Sequence, residues 1–129
     1  MLSPSALQLI QAALTTGSEQ IYAANVKAGW YKDPKTGRKI QRNIPEMLML
    51  IVSEIAEGME GYRKDLNDNH LPHRSMLEVE LADAVIRIFD LAGYLGLDLG
   101  GAFVEKVLYN GERADHKLAN RAQEGGKKF

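Results

Sequence analysis

Apolar residues recur at helical spacing along most of this chain, and polar stretches bearing glycine or proline break the pattern into segments. Ser3-Pro4 suits an N-cap followed by the first helical position, and Leu7, Ile10 and Leu14 continue at helical spacing. Thr15, Thr16 and Gly17 weaken that helix, and Ser18 is a candidate cap for a second one holding Ile21, Ala24 and Val26. The pattern leaves open whether the two are continuous. Gly29-Trp30 ends the segment, and YKDPKTGRKIQRN, residues 31–43, reads as a loop marked by Pro34 and Gly37. Further helices are predicted from near Pro45 to about Leu66, from about Met76 to Leu95, and over roughly 100–113 or longer. NDNHLPHRS, residues 67–75, forms the second loop, and Gly96, Gly100 and Gly101 mark a turn with Asp98 as a candidate cap. No strand and no internal repeat is evident, so the expected fold is all-α, a bundle of four or five helices.

On a helical wheel of roughly 100° per residue, Met47, Leu48, Ile51, Ile55, Met59 and Tyr62 form one apolar arc, with Leu50 just outside it. Glu54 falls within the apolar sector, Glu57 at its edge, and Glu60 points elsewhere. The segment 76–95 is apolar around nearly its whole circumference, which predicts a central position in an assembly. Its charges, Glu80, Asp83, Arg87 and Asp90, share one narrow stripe at steps of three, four and three; Glu78 alone lies off it.

Composition narrows the function classes. The chain has 129 residues, a usual size for one domain, and a formal net charge of -1, which disfavours general nucleic-acid binding. There is no cysteine, so disulfides and thiolate metal sites are excluded. The first residues lack the basic region of a signal peptide, and no apolar run approaches a membrane span. A cytoplasmic protein without membrane or nucleic-acid partners is expected.

Burying an ionised carboxylate alone is costly, so such groups are paired or bind metal. Two helices that each offer acids at i, i+3 can bring four carboxylates together, and such a cluster repels itself without cations. Hard oxygen ligands favour Mg²⁺ or Mn²⁺. One ExxE alone is weak evidence, since acids at that spacing are common on exposed faces, and Arg87 can pair with Asp83 or Asp90.

These motifs resemble the MazG-like all-α nucleoside triphosphate pyrophosphohydrolases, whose pattern is ExxE, some twenty residues, then ExxD. Here it reads Glu54-Ile-Ala-Glu57 and Glu80-Leu-Ala-Asp83. "NVKAGW", "LMLIVSEIAEGMEGYR" and "VELADAVIRIFDLAGYLGLDL" look like the small phage and bacterial members, and "EKVLYNGER" ends in a KxxxNxxR pattern at Lys106, Asn110 and Arg113. The resemblance spans about residues 19–129, as a single domain with residues 1–18 as an N-terminal helical extension and 114–129 as a basic tail. There are departures. Many relatives carry histidine where this chain has Tyr22, and many have an arginine-proline-tyrosine sequence leading into a short basic ending where it reads "ERADHKLANRAQEGGKKF".

The resemblance implies hydrolysis of a phosphoanhydride bond, taking a nucleoside triphosphate to its monophosphate and pyrophosphate. Glu54, Glu57, Glu80 and Asp83 would be the catalytic set and the ligands of Mg²⁺ or Mn²⁺, one of them instead orienting or deprotonating water. Lys106, Asn110 and Arg113, at i, i+4 and i+7, would clamp phosphate oxygens. Lys27 and His116 are further substrate candidates, and Trp30 either stacks on a base or packs at a subunit contact. The small phage members, including the MazZ type, lead towards purine substrates such as dGTP, GTP or dATP. The alternatives are a house-cleaning enzyme for dUTP, dCTP or damaged nucleotides, and a non-catalytic oligomerisation module. A homodimer or homotetramer is expected. A carboxylate-bridged redox bundle is disfavoured, because no histidine lies three residues after a glutamate.

Overall fold

The computed structural model describes all 129 residues. It is all-helical, with α1 (Pro4–Lys27), α2 (Ile44–Arg63), α3 (Met76–Leu95), α4 (Leu99–Glu112), a 3₁₀ turn (Ala114–His116) and a short α5 (Leu118–Arg121). Two isolated bridges, Lys32 with Lys39 and Asn67 with Ser75, are the only β-type pairings and lie in the two loops. The chain forms two compact units, residues 16–97 and residues 1–15 with 98–129.

The first helix is continuous through Thr15, Thr16 and Gly17, resolving the question the sequence left open. Gly17 is there for space: a Cβ would stand 2.6 Å from the Phe89 ring of α3. Capping sets the other boundaries. The Asn43 side chain accepts from Glu46 N at 3.0 Å, and Ser75 from Glu78 N at 3.1 Å, the first half of a capping box. Asp98 does the same for Gly101 N at 2.9 Å, and Gly96 closes α3 in the left-handed conformation at φ 66°.

The hairpin of α2 and α3 is antiparallel: Gly61 lies against Met76, Gly58 against Leu77 and Glu80, and Glu54 against Arg87. Gly61 sets how closely the helices approach. A Cβ on it would fall 2.7 Å from both Cβ and Cγ of Met76, atoms too near the backbone to swing away. Gly61→Ala is therefore expected to cost about 1–3 kcal/mol by prising the helices apart. Gly58→Ala, whose Cβ would meet Glu80 Cβ at 3.4 Å, is expected to cost less. Urea unfolding checks this, and a Gly61→Ala variant as stable as the parent would contradict it.

The apolar arc foreseen on α2 is mostly not the face that packs on α3. Met47 is buried, but the buried positions that follow it are Glu54, Gly58 and Gly61, while Leu48, Ile55, Met59 and Tyr62 are exposed. The charged stripe of α3 faces inward in part, with Glu80 and Asp90 buried beside Ala84, Leu91 and Ala92. Only six apolar residues in the chain are buried, and two of those are alanines, so large side chains contribute little of its interior.

Candidate functional site

Close packing at Gly58 and Gly61 brings the two acidic motifs face to face. One carboxylate oxygen from each of Glu54, Glu57 and Glu80 lies within 4.8 Å of the others; Glu54 and Glu80 are buried and Glu57 is exposed. Asp83 stands one turn along α3, outside this close group, in the wall of an adjoining cleft. Arg87 Nε donates to Glu54 Oε1 at 2.5 Å, which leaves the second Glu54 oxygen free of that pairing.

The cluster is electrostatically frustrated. Burial first, then a hydrogen bond shared with Glu54 and the charges of Glu57, Glu54 and Asp83, push the Glu80 carboxyl up to about 7. Desolvation and the Glu54 charge likewise raise Asp83, against the opposing pull of Arg87. With the carboxylates ionised, Glu80 Oε2 is buried without any partner. A shared proton or a cation satisfies it, and three close oxygens from carboxylates suit a hard divalent ion such as Mg²⁺ or Mn²⁺.

The sign of the pH dependence follows. Without metal, folded Glu80 holds its proton up to about pH 7, whereas an unfolded glutamate releases it near 4.5. Between those values the folded state binds more protons, so its stability falls as pH rises. In EDTA the stability is expected to fall across that window by at most about 1.4 kcal/mol per pH unit, seen as a falling melting temperature. Glu80→Gln should flatten the profile; an unchanged slope in that variant would remove Glu80 as its source.

The cleft has a volume of about 460 Å³, within the range of about 300–1,000 Å³ typical of small-molecule sites. Glu54, Asp83 and Asp90 supply its acids, Arg42 and Arg87 its guanidinium groups, and Asn25 and Trp30 add an amide and an indole. Trp30 is 65 % exposed there. A loop with two special backbone positions builds this side: Gly29 and Gly37 adopt φ of 90° and 70°, and Asp33 accepts from the amides of Lys35 and Thr36. Those two bonds hold the Asp33 carboxyl below the usual range. The same loop buries Tyr31, whose hydroxyl donates to Asp90 Oδ2 at 2.9 Å. Burial, then that bond, pushes the Tyr31 phenol far above its ordinary value. Tyr22 and Tyr94 brace the Tyr31 ring at centroid distances of 5.1 and 5.0 Å, and Arg42 lies over its face.

Sequence spacing did not reveal Asn25 or Arg42, which line the cleft, or Tyr31, which holds the wall residue Asp90 from behind, because all three sit at loop or helix-end positions without a periodic signal. Asp90 and Arg87 were visible as members of the charged stripe.

The remaining candidates occupy other places. Lys27 is exposed in the last turn of α1 and does not line the cleft. Lys106, Asn110, Arg113 and His116 belong to the unit of residues 1–15 and 98–129. There Lys106 lies 4.7 Å from the Tyr109 ring centre, and Arg113 makes a two-pronged pair with Asp115 at 2.9 and 2.6 Å. That pair raises the Arg113 guanidinium and lowers the Asp115 carboxyl. Asn110 Oδ1 is buried without a partner, and His116 Nε2 lies 3.2 Å from Lys127 Nζ.

Compared with known protein families, with curated proteins and with solved structures, the chain gives no match. No helix is long and apolar enough to cross a membrane.

Proposed function

We propose that the chain is a divalent-cation-dependent nucleoside triphosphate pyrophosphohydrolase, as its resemblance to the MazG-like enzymes implies. The observation that carries this reading is the convergence of Glu54, Glu57 and Glu80, with one buried oxygen unpartnered, beside a cleft that also holds two arginines. In this reading those three glutamates hold Mg²⁺ or Mn²⁺, and Asp83 is either a further ligand or the group that orients and deprotonates water. A bound cation supplies charge neutralisation for the phosphate oxygens and makes hydroxide accessible near neutral pH. Arg87 sets the position of Glu54, and Arg42 adds positive charge where an anionic substrate enters. The phosphate contacts that the resemblance gives to Lys27, Lys106, Asn110, Arg113 and His116 remain part of the proposal. The products are the monophosphate and pyrophosphate.

Incubating the purified chain with each common ribo- and deoxyribonucleoside triphosphate, in Mg²⁺, in Mn²⁺ and in EDTA, tests the reading. Cation-dependent release of pyrophosphate with the matching monophosphate is expected. Release of orthophosphate alone, or no turnover of any triphosphate, would overturn it, and a preference for dUTP or dCTP would favour the house-cleaning alternative.

We further propose that the chain works as a homo-oligomer. Leu48, Val52, Ile55, Met59 and Tyr62 on α2, and Leu81, Val85, Ile88 and Leu95 on α3, repeat at steps of three, four and seven and are 36–74 % exposed. Each stripe lies roughly 100° or more around its helix from the contact between α2 and α3. A second copy offering the same two stripes would bury them in a four-helix arrangement.

A further inference from the structure

We propose that Asp90 reads the base of the nucleotide, its carboxylate accepting the adjacent ring N–H and amino N–H of a guanine. The inference rests on the reading above that the cleft receives a nucleotide. Asp90 lines the cleft and is only 9 % exposed, and Tyr31 holds its Oδ2. Its Oδ1 is shielded from water and has no hydrogen-bond partner in the protein. Buried carboxylate oxygens are ordinarily satisfied, so an orphan in a cleft wall points to a donor that arrives with a ligand.

The chemistry selects the donor. An ionised carboxylate only accepts hydrogen bonds. Guanine is the one common base that presents two adjacent N–H donors on an edge, its ring N1–H and its 2-amino group. Adenine and cytosine set their amino group beside a ring acceptor, and uracil and thymine flank their ring N–H with two carbonyls. Those acceptors would face the carboxylate and be repelled. Met47, Leu50 and Ile86 give the same cleft apolar wall for ring faces, and Trp30 offers an indole at its edge. The tyrosine cluster fixes the reader: with Oδ2 held by Tyr31, and Tyr31 braced by Tyr22 and Tyr94, Asp90 has little freedom to turn away. Because Oδ1 is covered, the base reaches it through a side-chain movement in the wall.

Trp30 is the only tryptophan, so its fluorescence reports on the cleft directly. The test is a titration of the full chain in EDTA with dGMP, dIMP, 1-methyl-dGMP, dAMP, dCMP and dUMP, using monophosphates so that neither metal nor turnover is needed. dGMP is expected to bind tighter than dAMP, dCMP and dUMP by about tenfold or more, since a site built around a hydrogen-bond pair rejects ligands lacking it. Deoxyinosine, without the amino group, and the 1-methyl compound, without the ring N–H, should each lose about tenfold. Asp90→Asn keeps an acceptor for Tyr31 but turns an amide donor towards the base, and should abolish the preference for dGMP. Equal binding of dAMP and dGMP, or undiminished binding of both altered guanines, overturns the proposal without using any variant. So does a folded Asp90→Asn protein that still prefers dGMP, or no binding of any monophosphate. Hydrolysis of all triphosphates without guanine preference would defeat this inference and leave the enzyme reading standing. Guanine-selective binding without hydrolysis would do the reverse.

Discussion

Glu80→Gln is expected to lower cation-dependent turnover by about a hundredfold or more while making the metal-free protein more stable above neutral pH. Glutamine keeps the shape of the side chain beside Gly58 but replaces one of the three carboxylates proposed to hold the cation with a neutral amide, and removes the charge that the neighbouring acids oppose. Loss of one preorganised charge-stabilising group typically costs about 10²–10³ in rate. Glu54→Gln should match it in activity but not in stability. That change also breaks the ion pair with Arg87, whose side chain is 40 % exposed and can return to water, so a modest loss of about 1 kcal/mol is expected. The two variants therefore part company in thermal melts in EDTA at pH 8 while agreeing in pyrophosphate release. A Glu80→Gln protein with near-parental kinetics at limiting metal would remove Glu80 from the site.

Ile55→Asp combined with Val85→Asp is expected to convert the proposed homo-oligomer to monomers. Both side chains sit in the outward stripes, 49 % and 45 % exposed in the single chain. Burying a valine or isoleucine contributes about 1.5–3 kcal/mol, and in a two-fold interface every substitution occurs twice. A carboxylate placed in that contact also costs several kcal/mol to desolvate. Association should weaken by far more than a hundredfold, and the melting temperature should fall with it, because each chain alone buries so few large side chains. Sedimentation velocity over a range of concentrations measures this. A parent protein that sediments as a monomer at all of them would reject the homo-oligomer.

Helices and their ends were legible because local chemistry decides them. The range 76–95 was set by a serine cap at one end and a left-handed glycine at the other, and both signals are written in adjacent residues. The end of α2 came three residues early, at Arg63, where Asp65 takes a positive φ of 52° and the chain turns into the loop. The acids were legible as a stripe, and three of the four converge. Which face of α2 packs inside the chain was not legible. Hydrophobic periodicity shows that an apolar face will be covered, but not by what. Here the helix pair closes over glycines and carboxylates, at Gly58, Gly61 and Glu54, and leaves the larger apolar side chains outside. The Tyr31–Asp90 bond joins residues 59 apart through a loop of irregular backbone, and no periodic pattern announces such a contact.

Titrating the protein with Mn²⁺ while following free Mn²⁺ by electron paramagnetic resonance tests the central claim most directly, because it asks about the carboxylate cluster without substrate. Saturable binding to the parent chain, displaced by Mg²⁺ and lost in Glu80→Gln and in Glu54→Gln, is the expected result. No saturable binding, or binding undiminished in both variants, would contradict the assignment of Glu54, Glu57 and Glu80 as a metal centre.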